Sequence, residues 1–113
     1  MRHLKKKKIG KGYDKDRRLM KSMASSLILY EKIRLSEKRA KLVRSLVEKM
    51  ITTAKTNDLH SKRQLIAQLS INAARKAYEI LGKKYETRAG GYTRITRAGK
   101  AKDGTPQVIV ELI

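Results

Sequence analysis

Lysine and arginine outnumber aspartate and glutamate by 29 to 10, which leaves this 113-residue chain with a formal charge of +19 at pH 7. No other feature limits its folded states as strongly, because a compact body at that charge repels itself unless a polyanion neutralises it. Nucleic acid and an anionic membrane surface are polyanions of that kind; an acidic protein would need many carboxylates in one place. The length is that of one domain, and a chain of this size buries roughly two-thirds of its unfolded surface, enough for one modest core. There are no cysteines, so disulfides and cysteine-held metals are excluded and nothing points to an oxidising compartment. The most apolar run, Leu27-Ile28-Leu29-Tyr30, is far shorter than the ~20 residues a membrane-spanning helix needs. Met1-Arg2-His3 and the lysines after it imitate the start of a signal peptide, but Ile9-Gly10-Lys11-Gly12-Tyr13-Asp14 interrupts any apolar stretch. The expected location is the cytoplasm.

Residues 1–13 read as a basic N-terminal extension. Arg2, Lys5, Lys6, Lys7, Lys8 and Lys11 fall in its first twelve residues, with no acid and almost nothing apolar to bury. Such a segment is expected to be disordered alone. Residues 14–113 read as a single α+β domain. Asp14 and Asp16 suit the positive end of a helix, and Met20, Met23, Ala24, Leu27 and Ile28 recur at the spacing of one helical face. Lys32-Ile33-Arg34-Leu35 alternates polar and apolar, which predicts a short strand. Ser36 and Glu37 predict the cap and first turn of a second helix. Val43, Val47, Met50, Ile51 and Ala54 carry that helix to about Lys55, and Asn57 and Asp58 break it. Two shorter helices are expected next, one capped by Ser61, the other capped by Asn72 and stopped at Gly82. The segments Tyr92 to Ala98 and Gln107 to Ile113 predict two strands, joined through an Asp103-Gly104 turn with Pro106 at a strand start. The expected fold is therefore α+β, with helices packed on a small mixed sheet that contains the C-terminal β-hairpin and takes the Ile33 segment as a third strand.

Little in the chain suggests catalysis. Its two histidines, His3 and His60, lie in the basic extension and at a helix start, where a positioned general base is not expected. No His, Asp or Glu cluster has the spacing of metal ligands. Gly10-Lys11-Gly12 lacks the spacing of a phosphate-binding loop and no strand precedes it. Neither an enzyme nor a cofactor is expected, and no small-molecule substrate.

The basic residues point instead to nucleic acid. A lysine run in a flexible segment gains nothing from folding, yet releases counterions when laid along phosphates. Near the C-terminus the chain reads RAGGYTRI, Arg88 to Ile95. Gly90 and Gly91 have no Cβ and allow a close backbone approach to phosphate. Arg88 and Arg94 can fork onto phosphate oxygens from either side, and Tyr92, beside Thr93, offers a stacking face or a hydroxyl. Lys100 and Lys102 extend the same edge, and Arg17, Arg18 and Lys21 lie off the apolar stripe of the first helix. A glycine turn leading into a strand, with Tyr92 in the core, accounts for the same residues; the charge of the whole chain favours the RNA contact. No recognition helix or zipper is visible, so a folded RNA suits the chain better than duplex DNA.

With RAGGYTRI the chain resembles the bacterial large-subunit ribosomal protein family numbered seventeen. The resemblance covers nearly the whole sequence: the opening Met1-Arg2-His3, MKSMASSLILYEKI at 20–33, ITTAKT at 51–56, HSKRQL at 60–65 and the closing IVELI. Arg34-Leu35 stands where that family usually has a Thr-Thr pair. The resemblance implies a structural protein of the large ribosomal subunit that binds large-subunit rRNA on the solvent side near the exit tunnel, beside other ribosomal proteins. It implies RNA contacts through the extension, including His3, and through the approach to the hairpin. A nucleic-acid-coating or RNA-chaperone protein outside the ribosome is the alternative. Docking on an anionic membrane would need aromatic anchors, which are scarce here.

Overall fold

A computed structural model of the chain describes residues 17–113. The basic extension and the expected helix start at Asp14 lie outside the described residues. The first helix, α1 (17–30), buries Met23, Ala24, Leu27 and Ile28, with Met20 packed at the edge of the same core. It ends at Glu31, whose φ of 62° lies in the left-handed region, a conformation costing a residue with a Cβ about 1–2 kcal/mol. The local bonds account for it. The Glu31 N–H closes onto the Leu27 carbonyl at 2.7 Å, its carbonyl accepts from Leu112 N–H at 2.9 Å, and its carboxylate stands 3.4 and 3.5 Å from the ammonium groups of Lys76 and Lys84.

Strand β1 (Lys32–Ser36) leads directly into α2 (Glu37–Thr56), capped as expected by Ser36, whose side chain accepts from Arg39 N–H. One face of α2 buries Ala40, Val43, Val47, Met50, Ile51 and Ala54, and left-handed Asn57 ends it. The cap of α3 (Leu59–Gln68) is Asp58, not Ser61: its Oδ1 accepts from Ser61 N–H at 2.7 Å. The bonds with Ser61 hold the Asp58 carboxyl below its usual range. The next helix, α4, begins as Ile71–Lys76, widens through a π-helical turn at Ala77–Leu81 and closes with Gly82–Lys84. Its cap is Ser70, not Asn72; Ser70 Oγ accepts from Ala73 N–H at 3.3 Å, while Ser70 N–H donates to Ser25 Oγ on α1 at 3.0 Å. Gly82 is not the stop. It is helical and buried, and a Cβ there would stand 2.8 Å from the Ala54 carbonyl oxygen of α2.

Strands β2 (Thr93–Lys100) and β3 (Pro106–Leu112) form the predicted hairpin, turning at Asp103-Gly104. Thr105 N–H donates to Asp103 Oδ1 at 3.0 Å, and Gly104 has φ 89°. The sheet order is β1-β3-β2, with Ile33 opposite Val110 and Val110 opposite Ile95. Both pairings are antiparallel, so the sheet is not mixed as expected. The hairpin fixes β2 against β3, and β1, which runs parallel to β2, is kept apart from it by β3. Val108 and Val110 join the buried residues of all four helices in one core. Because strand residues alternate between faces, Lys32, Arg34, Arg94, Thr96, Ile109 and Glu111 point away from it.

Candidate nucleic-acid interface

The Gly-Gly stretch lies against the C-terminal half of α2, and its own residues build it. Gly91 has φ 64° with open space where a Cβ would stand, so glycine is there for its backbone conformation and not for lack of room. Arg88 Nε donates to the carbonyls of Gly90 and Gly91, both at 3.2 Å. The guanidinium expected to reach outward thus also closes its own loop.

Tyr92 does not offer a stacking face. Its ring is 1% exposed and packs on Tyr85 with centroids 5.1 Å apart, tilted by 54°. Its N–H donates to Glu48 Oε1 at 3.2 Å. Its hydroxyl meets Thr52 Oγ1 at 3.3 Å and Lys55 Nζ at 3.1 Å, and Lys55 Nζ also donates to the Arg88 carbonyl. Burial pushes the phenol up, but the bonds to Thr52 and Lys55 and the Lys55 charge outweigh it and leave it below the usual tyrosine range. The physical reason for the correction is area: burying an aromatic ring between two helices and the hairpin outweighs exposing it. Thr93 is buried too, and its Oγ1 has no hydrogen-bond partner among the described residues. Of the two, Tyr92 supports the loop, its hydroxyl reaching the Arg88 carbonyl at 3.4 Å.

The other predicted contacts lie on the outside. Arg94 is exposed and bound to Glu111, with Nε and Nη2 at 3.0 and 2.8 Å from Oε1. Lys100 and Lys102 are exposed at the hairpin tip, and Arg17, Arg18 and Lys21 are exposed on α1, where they border a groove with Leu46 and Gln68. Arg2, His3, Lys5, Lys6, Lys7, Lys8 and Lys11 lie outside the described residues. The structure adds Lys32 and Arg34 of β1, exposed on the same outward sheet face as Arg94. Their signal was the alternation of Lys32-Ile33-Arg34-Leu35, which sets both cations on one side of a strand. Among the described residues, no three His, Cys, Asp or Glu side chains gather as a metal site, and no helix is long and apolar enough to cross a membrane.

Residues 19–113 match the profile of the family described as Ribosomal protein L17. The chain belongs to the ribosomal protein L17 family. This is the family that RAGGYTRI and the segments around it resemble. Among its curated relatives, the large ribosomal subunit protein bL17 of Thermoanaerobacter sp. (strain X514) is 40% identical over 109 residues, covering 95% of this chain and 97% of the relative. The protein of the same name from Desulforudis audaxviator (strain MP104C) is 41% identical with the same coverage. That of Azorhizobium caulinodans is 39% identical over 116 residues, covering all of this chain and 84% of the relative. These L17 relatives are ribosomal proteins, not enzymes.

Proposed function

We propose that this chain is a structural constituent of the large ribosomal subunit, located in the cytoplasmic ribosome, that binds and braces large-subunit rRNA among neighbouring ribosomal proteins. The observation that carries the reading is identity of about 40% with proteins named for the large subunit, along nearly the whole length of both chains. The charge of +19 supports it, since RNA is the polyanion a ribosome supplies. The mechanism is neutralisation and cross-bracing without chemistry. The basic residues between Arg2 and Lys11 neutralise phosphates and release their counterions. Arg17, Arg18 and Lys21 extend that contact onto α1. The Arg88–Gly91 loop, held in shape by Tyr92 and Lys55, presents its exposed backbone and guanidinium, and Arg94, Lys100 and Lys102 continue the surface along the hairpin.

Such binding depends steeply on salt. With around six to ten phosphate contacts, affinity for large-subunit rRNA falls by roughly 10³–10⁵ between 50 and 200 mM salt. A filter-binding titration measures this, and a flat response contradicts the electrostatic mechanism. Equal affinity for any duplex or single strand supports a general coating protein instead.

A further inference from the structure

We propose that the outward face of the three-stranded sheet is itself an RNA-backbone platform, a contact that runs on from the Gly-Gly loop through Arg94 to Arg34 and Lys32. The inference rests on the rRNA-binding reading and places a part of it. Antiparallel register sets Lys32 of β1 opposite Glu111 of β3, and Glu111 opposite Arg94 of β2, so one cross-strand row holds two cations around one acid. Two residues along β1, about 7 Å further, Arg34 is opposite Ile109. The Arg34 side chain crosses β3 to donate from Nη2 to the Ala98 carbonyl of β2 at 3.0 Å.

Both arginines therefore lie fixed along the face. Arg34 spends one of its five N–H donors on Ala98, and Arg94 is held by Glu111 at 2.8 Å while its side chain stays 61% exposed. Donors already oriented lose less rotamer entropy when a phosphate arrives. Glu111 is the single acid among the outward-facing strand residues, so the face carries net positive charge around a half-buried Ile109. Charge complementarity selects the occupant as a polyanion. Among the described strand residues no aromatic points outward, so the face lacks the aromatic rings on which sheet platforms stack unpaired bases; its fixed guanidiniums and Lys32 fit the phosphodiester backbone.

The test uses the full-length protein and large-subunit rRNA transcribed in vitro, with circular dichroism confirming that each variant is folded. Glu111→Gln keeps an acceptor for Arg94 but removes the negative charge, and tightens binding about two- to fivefold, the range of an exposed charge pair. Lys32→Gln weakens binding and lowers the salt slope by about 1. Glu79→Gln, an exposed position on α4, raises the net charge equally and serves as the control; it leaves affinity unchanged. Equal tightening by Glu79→Gln and Glu111→Gln overturns the proposal, because total charge then sets affinity. Wild-type binding with no response to Lys32→Gln or Glu111→Gln also overturns it and leaves the rRNA reading standing. So does unchanged affinity with loss of Lys32→Gln from assembled subunits, which assigns the face to a protein neighbour. Absence of salt-dependent binding by the wild type instead removes the rRNA reading itself.

Discussion

At Gly91 the main chain takes φ 64°, while Gly90 has no such requirement, and neither glycine has an atom within 4 Å of where a Cβ would stand. The two neighbours therefore separate conformation from crowding. Gly91→Val puts a β-branched residue in the left-handed region and costs about 1–2 kcal/mol of folding stability. Gly90→Ala stays within about 0.5 kcal/mol of the wild type. Urea denaturation of the two variants measures the difference; equal stabilities mean that the backbone at Gly91 is not what the loop depends on. Tyr92 makes the same point from the side-chain end. Its hydroxyl, ring and N–H are all used inside the protein, so whatever the loop contributes to RNA binding passes through the shape that Tyr92 maintains.

The helix contacts turn on one glycine. Gly82 brings α4 against α2 so closely that an added methyl group would meet the Ala54 carbonyl at 2.8 Å. Gly82→Ala gains helix propensity of up to about 1 kcal/mol and loses more to overpacking against a main-chain atom that cannot rotate away. The net result is a stability lower by roughly 1–2 kcal/mol, read as a lower thermal midpoint; a raised midpoint contradicts the close approach. The sequence alone showed Gly82 as a helix stop, because a glycine after Leu81 satisfies the local rule and its real partner lies on another helix. The expected caps of α3 and α4 failed for a similar reason. Asp58 and Ser61 both suit α3, as Ser70 and Asn72 both suit α4, and for α4 the choice is supported by a contact distant in sequence, Ser70 N–H on Ser25 Oγ. Where the signal was local and repeated, it held. The alternation at Ile33, the cap at Ser36, the apolar face of α2 and the Asp103-Gly104 turn were all legible. The burial of Tyr92 was not, since Gly-Gly-Tyr between arginines fits a covered turn as well as an exposed contact, and the charge of the whole chain tips the reading to the contact.

At the largest scale, one core of aliphatic and tyrosine side chains joins the four helices of the described residues to the inner face of the sheet. Exposed cations stand on α1, the outward sheet face and the hairpin tip. A body charged in this way is stable next to a polyanion and repels itself away from one, which ties the fold to assembly. Family membership and the charge together support the proposal that the chain is an integral part of the large subunit. Sucrose-gradient fractionation of a cell lysate, with each fraction washed at high salt and probed for this protein, tests it most directly. Stoichiometric retention in the large-subunit peak is the expected result. Loss to the top of the gradient, or spread through nucleoid fractions, would contradict it and leave the L17 resemblance describing the fold but not the role.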